Sequence, residues 1–252
     1  MKARLDSIDQ VVDSRIQYPS YRSFDALVDL ERLKGLDRYV ETRIRDHERR
    51  NMISFFQNAH RLDPSTPYEP GVREIWLSQT KAGVPYDYLD LDKPELWEFA
   101  DAANEFSELM GFIATLPFKT TGRMLIIYDT SGNAVPAHRD HLDPELCHHF
   151  IWFRTSLRKP FYVQGGMGMN KGFVESYTAW FDTVNQFHGA DACPGLSFSF
   201  RVDGVFTDEL DRMIPVPDFN LASRPALWAS IDRIAEGQQT KSSTHAIDER
   251  AS

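Results

Sequence analysis

Residues 195–206 constrain this chain more than any other stretch. Leu196, Phe198, Phe200 and Val202 alternate with Ser197, Ser199, Arg201 and Asp203. Successive side chains of a strand point to opposite faces, so the alternation predicts a strand with one apolar and one polar face. The apolar face must pack on a supporting layer. The polar face, with an arginine between a serine and an aspartate, meets either solvent or a polar cavity, and alternation alone leaves both open.

Upstream, short apolar runs recur at 124–128, 150–157, 161–164 and 177–181. They are separated by turn residues such as Lys159-Pro160, Gly165-Gly166 and Pro194-Gly195. Several short strands at this spacing predict an α+β fold whose core is a double-sheet jelly roll, the double-stranded β-helix of cupins. The first half reads as helical. Residues 24–61 carry Leu27, Leu30 and Leu33 three apart, then Gly35 and a run of Arg/Glu pairs. Residues 93–115 place Leu96, Phe99, Ala103, Phe106, Met110 and Ile113 on one stripe, with Asp92 and Glu95 as a capping box, Pro94 in the first turn and Pro117 as a stop. The chain therefore divides into helical support and pocket elements (1–117), a jelly-roll core (118–236) and a loose polar tail (237–252), forming one structural unit.

Composition narrows the function classes. With 252 residues and 42% hydrophobic content the chain is long enough for a core without staples. A formal charge of −9 argues against a nucleic-acid partner, and Arg43, Arg45, Arg49 and Arg50 read as a solvated helix face. Two cysteines, Cys147 and Cys193, make neither a disulfide framework nor a cysteine zinc site. No window approaches the roughly 20 apolar residues of a membrane helix, and the first residues have no apolar signal core, so the expectation is a cytoplasmic protein with no membrane partner.

The chemistry concentrates after the 124–128 run, in Pro136-Ala137-His138-Arg139-Asp140-His141. His138 and Asp140 are two apart, so in an extended segment they project from one face and can converge on one ion. His188 follows forty-eight positions later (140 to 188), and Arg201 thirteen beyond it (188 to 201). Two histidines and a carboxylate on one side of an ion leave other positions open, as in the facial sets of non-haem iron(II) oxygenases. A second pair, His141 and Asp143, offers the same spacing. His141, His148, His149 and Asp182 read as supporting groups, and Trp152, Trp180 and Phe181 as core. The glycines of 165–172 suit a lid.

From His138-x-Asp140, the distal His188 and the later Arg201, the segment 118–206 resembles the 2-oxoglutarate/iron(II) dioxygenase superfamily. Within it the look is that of the aspartyl/asparaginyl β-hydroxylase-like and bacterial proline hydroxylase-like branch. The resemblance implies Fe(II) bound by His138, Asp140 and His188. It implies 2-oxoglutarate as co-substrate, clamped at its distal carboxylate by Arg201 with help from Ser199, and Arg154 near its other carboxylate. It further implies dioxygen and a small polar substrate, an amino acid or natural-product intermediate, hydroxylated at an unactivated carbon with release of succinate and CO2. Related halogenases replace the carboxylate that Asp140 supplies. Two rival readings use the same fold: a cupin-like metalloenzyme with no need of 2-oxoglutarate, and a catalytically silent small-molecule binding protein.

Overall fold

The strand expected at 195–206 is the spine of the molecule. In a computed structural model, which describes residues 21–50, 72–84, 91, 93–140, 149–164, 171–183 and 186–212, β11 (Ser197–Phe206) runs antiparallel between β4 (Phe118–Asp129) and β6 (Phe150–Phe153). Register fixes which side chains share a face. Arg201 lies opposite Leu125 and Trp152, while Phe200 lies opposite Ile126 and Phe153. The two rows therefore point to opposite sides of the sheet.

The other strands are β1 (Arg22–Ser23), β2 (Val72–Thr80), β3 (Trp97–Phe99), β5 (Val135–His138), β7 (Phe161–Gln164), β8 (Gly172–Phe173), β9 (Thr178–Trp180) and β10 (Phe187–Ala190). They form a seven-stranded sheet, β1-β9-β6-β11-β4-β2-β3, and a four-stranded sheet, β5-β10-β7-β8, with antiparallel pairing throughout. From β4 to β11 the chain passes back and forth between the sheets. It leaves β9-β6-β11-β4 on one and β5-β10-β7-β8 on the other, which is the strand order of an eight-stranded jelly roll.

The outer face of the large sheet carries the helices. These are α1 (Leu30–Gly35), α2 (Asp37–Arg50), α3 (Ala102–Glu105) and α4 (Ser107–Ile113), with a last short turn, α5 (Asp208–Asp211), after β11. Asp29 caps α1 by accepting from the Arg32 N–H. Val40 and Ile44, four apart on α2, are buried, and Arg45–Glu41 and Arg49–Asp46 pairs line its solvent side. The basic cluster is thus a solvated helix face, as expected. Phe112 of α4 packs 5.6 Å from Phe153, which stacks on Phe200 at 4.7 Å. The apolar face of β11 therefore meets helices, and its polar face turns into the roll.

The stretch 93–115 differs from the single helix expected. It opens with a 3-10 turn (Pro94–Leu96), continues as β3 and becomes helical only from Ala102. β3 pairs with the edge of β2, Ser78 facing Phe99 and Thr80 facing Trp97. An available sheet edge thus captures the first part of the stripe, leaving Phe99 67% exposed while Ala103, Phe106 and Ile113 are buried. Lys93, not Asp92, occupies the N-cap of that 3-10 turn and makes no side-chain cap. Asp92, the tail 237–252, most of the suspected lid (165–170), and His141, Asp143, Cys147 and His148 lie outside the described residues. No helix among the described residues is long and apolar enough to cross a membrane.

Candidate metal centre

The small sheet brings the histidines together. β5 ends at His138 and β10 opens with Phe187-His188, and their pairing sets His188 directly opposite His138, ring centroids 4.3 Å apart. Two residues beyond His138, the Asp140 N–H donates to the Thr183 carbonyl at 2.8 Å, which ties the chain after β5 to the turn between β9 and β10. That turn is itself closed by Asp182 and Gln186: the Asp182 N–H donates to Gln186 Oε1, and the Gln186 N–H to the Asp182 carbonyl. Ligand atoms of His138, Asp140 and His188 then lie within 4.8 Å of one another. It is the one such group of three or more metal-ligating side chains among the described residues.

The surroundings of the three side chains suit them to a cation. His138 Nδ1 lies 2.9 Å from the Pro136 carbonyl oxygen, which only accepts. Nδ1 therefore carries a proton, which leaves Nε2 as the nitrogen that can ligate an ion. His188 is 7% exposed; burial pushes its pKa down to about 4 against the pull of Asp140, so the ring is neutral at pH 7. Its Nε2 faces Asp140 Oδ1 at 3.5 Å. Burial opposes the charge on Asp140, but the neighbouring cationic groups, His188 when protonated and then Arg201, hold the carboxyl well below the usual carboxylate range. Two imidazoles and one carboxylate are a set suited to a divalent first-row metal with open positions.

Beneath the cluster the wall is aromatic. Phe181 and Phe161 stand 5.5 and 6.2 Å from the His188 ring, and Trp152 stacks on Phe161 at 4.5 Å. Trp152, Trp180 and Phe181 belong to the core, as their sequence context implied.

Arg201 reaches the cluster from the large sheet. Its Nη1 donates to Asp140 Oδ2 at 3.0 Å, its Nε to Asp203 Oδ1 at 2.9 Å, and Phe150 underlies the guanidinium at 4.2 Å. Ser199 sits two residues earlier on the same strand face, half-buried. Arg154 goes elsewhere. Its Nε, Nη1 and Nη2 donate to the Ser176, Lys159 and Val174 carbonyls, and it lies over Trp152 at 5.1 Å. His149 also stands apart, stacked on Phe206 and 3.3 Å from Asp211.

One charged neighbour of the centre was absent from the sequence reading. Arg123 of β4 donates through Nε to Asp203 Oδ2 at 2.7 Å. Its signal was the strand period: residue 123 shares a face with Leu125, the partner of Arg201.

No family model matches this chain, and no curated protein matches it. Solved structures similar to it include a prolyl hydroxylase from Trichoplax adhaerens in complex with a hypoxia inducible factor oxygen degradation domain peptide fragment, at 9% identity. The match covers 86% of this chain and 97% of that one, with a TM-score of 0.45. A prolyl-4-hydroxylase from Pseudomonas putida is 10% identical, over 79% and 99% of the two chains, with a TM-score of 0.40. An oxidoreductase of the 2OG-Fe(II) oxygenase family from Burkholderia pseudomallei is 13% identical, over 55% and 71%, with a TM-score of 0.33. These are distant likenesses. The strand order and the converging side chains define the class on their own: a jelly roll with two histidines and a carboxylate at its mouth.

Proposed function

We propose that this chain is an Fe(II)- and 2-oxoglutarate-dependent oxygenase. It hydroxylates an unactivated carbon of a small polar substrate, such as an amino acid or natural-product intermediate, and releases succinate and CO2. The observation that carries the reading is the convergence of His138, Asp140 and His188 with a charged arginine beside them, inside a jelly roll. Iron(II), when bound, supplies the activation of dioxygen and the oxidative decarboxylation of the co-substrate.

The chain's own residues do the rest. As ligands, His138 and His188 would bring no negative charge and Asp140 a single one, so one charge of a divalent ion stays uncompensated and favours an anionic co-substrate. Arg201 offers the distal carboxylate charge-assisted bonds. Ser199, on the same strand face, is placed to assist it. Phe161, Phe181 and Trp152 exclude water from the inner side of the centre, which strengthens every charge interaction there.

The test is anaerobic addition of Fe(II) and 2-oxoglutarate to the apoprotein. The expected outcome is a weak visible charge-transfer band that Arg201→Ala diminishes. Iron binding with no band would replace the reading with a metalloenzyme that does not use 2-oxoglutarate, and absence of iron binding would remove the triad.

A further inference from the structure

Asp203 has no part in metal ligation, yet it is 0% exposed at the edge of the centre. A carboxylate with no contact with water stays ionised only where donors compensate it. Asp203 has two arginines on it. Oδ1 accepts from Arg201 Nε at 2.9 Å and Oδ2 from Arg123 Nε at 2.7 Å. Asp203 and Arg201 are two apart on β11 and so share the inward face, while Arg123 arrives from the adjacent β4.

A guanidinium offers a carboxylate two flat edges, one that includes Nε and one between the terminal nitrogens. In Arg201 the first is taken by Asp203, and Phe150 at 4.2 Å fixes the plane. What reaches the metal centre is Nη1, one of the two terminal nitrogens, which holds the carboxylate of Asp140. Without Asp203 the Nε edge loses the carboxylate that holds it, and the guanidinium is no longer fixed from that side.

We propose that Asp203, itself held by Arg123, is a positioning residue. It fixes Arg201 so that the terminal edge of the guanidinium is the seat for the distal carboxylate of the co-substrate. This rests on the assignment of Arg201 to 2-oxoglutarate given above. The consequence is one of specificity: Asp203 acts on ligands that carry a distal carboxylate and is indifferent to those that lack one.

The experiment uses the full chain loaded with Mn(II), which occupies such a centre without turnover, and measures binding of 2-oxoglutarate and of pyruvate by calorimetry. Pyruvate keeps the oxo-acid end and lacks the distal carboxylate. Asp203→Asn should weaken 2-oxoglutarate about tenfold, the scale of one charged hydrogen bond, and leave pyruvate and Mn(II) affinity within about twofold. Because Asp203→Asn leaves two buried arginines facing a neutral amide, the double variant Arg123→Met with Asp203→Asn removes one charge of each sign. It should show the same selective loss. Unchanged 2-oxoglutarate binding in both variants, or parallel loss of pyruvate and metal, overturns the positioning role alone. A wild-type protein that takes Mn(II) and pyruvate but gains nothing from the distal carboxylate overturns the role of Arg201 as well.

Discussion

Three backbone carbonyls, those of Lys159, Val174 and Ser176, accept from the guanidinium of Arg154, a side chain 4% exposed. Burial pushes its pKa down to about 10, which still leaves it charged at pH 7. A buried cation so engaged ties the β6–β7 connection to the segment between β8 and β9. Arg154→Met should therefore strand these carbonyls and cost about 3 kcal/mol, read as a lower urea midpoint. Its 2-oxoglutarate affinity should stay within about twofold of wild type, in contrast to Arg201→Ala; a large loss of affinity with little loss of stability would return Arg154 to the co-substrate site. The contrast shows what a sequence conveys at this scale. His138, Asp140, His188 and Arg201 were legible because spacing and strand parity put them on convergent faces. Arg154 shares the parity of Trp152 and so also points inward, but which carbonyls surround it depends on two loops whose paths no local pattern encodes. Arg123 was overlooked because a charge at the head of an apolar run reads as the run's boundary.

Gly189 is where one element's geometry becomes the site's geometry. β10 lies between β5 and β7, and a Cβ at Gly189 would stand 2.6 Å from the Tyr162 hydroxyl and 2.7 Å from the Val135 carbonyl. The second contact is backbone, so it is relieved only by moving β5, the strand that ends in His138. Gly189→Ala should cost roughly 1–3 kcal/mol by overpacking and also lower metal affinity. A titration that finds metal affinity unchanged would show the two strands to be less tightly coupled than their register implies. Gly35→Ala is the control, since nothing lies within 4 Å of its added carbon; it should be neutral or stabilising by about 0.5–1 kcal/mol. The short strands of the small sheet were the least legible elements for related reasons. β5 contains Pro136, which reads against a strand and is tolerated here because β5 is the sheet's edge. β10 is four residues with a central glycine and no run to detect. In the large sheet, the longer β2 hides its alternation behind a register shift between Trp76 and Ser78. By contrast, the expected strand at 161–164 is β7 itself, because turn residues bound it on both sides.

At the scale of the whole molecule, a boundary near residue 117 marks a change of sequence pattern, and the packing runs across it. The large sheet includes β1, β2 and β3, all from residues before 118. Asp25 accepts from the Tyr177 and Thr178 N–H groups and from the Thr178 hydroxyl, while the Phe24 N–H donates to the Thr178 carbonyl, so the first strand is stitched to β9. Phe24, Leu33, Val40, Ile44, Phe106 and Phe112 are all fully buried in the cluster that also holds Phe153, Phe200 and Val202. Each such side chain contributes roughly 1.5–3 kcal/mol on burial, and the net stability of a domain is only about 5–15 kcal/mol. A fragment of residues 118–236 thus loses more apolar cover than its stability allows. It should be insoluble or lack fixed tertiary packing, whereas the full chain should unfold in one transition by both tryptophan fluorescence and far-ultraviolet dichroism. A soluble, cooperatively folding fragment that still binds Mn(II) would show the reverse: that the helices are an accessory and the jelly roll supports its metal centre alone.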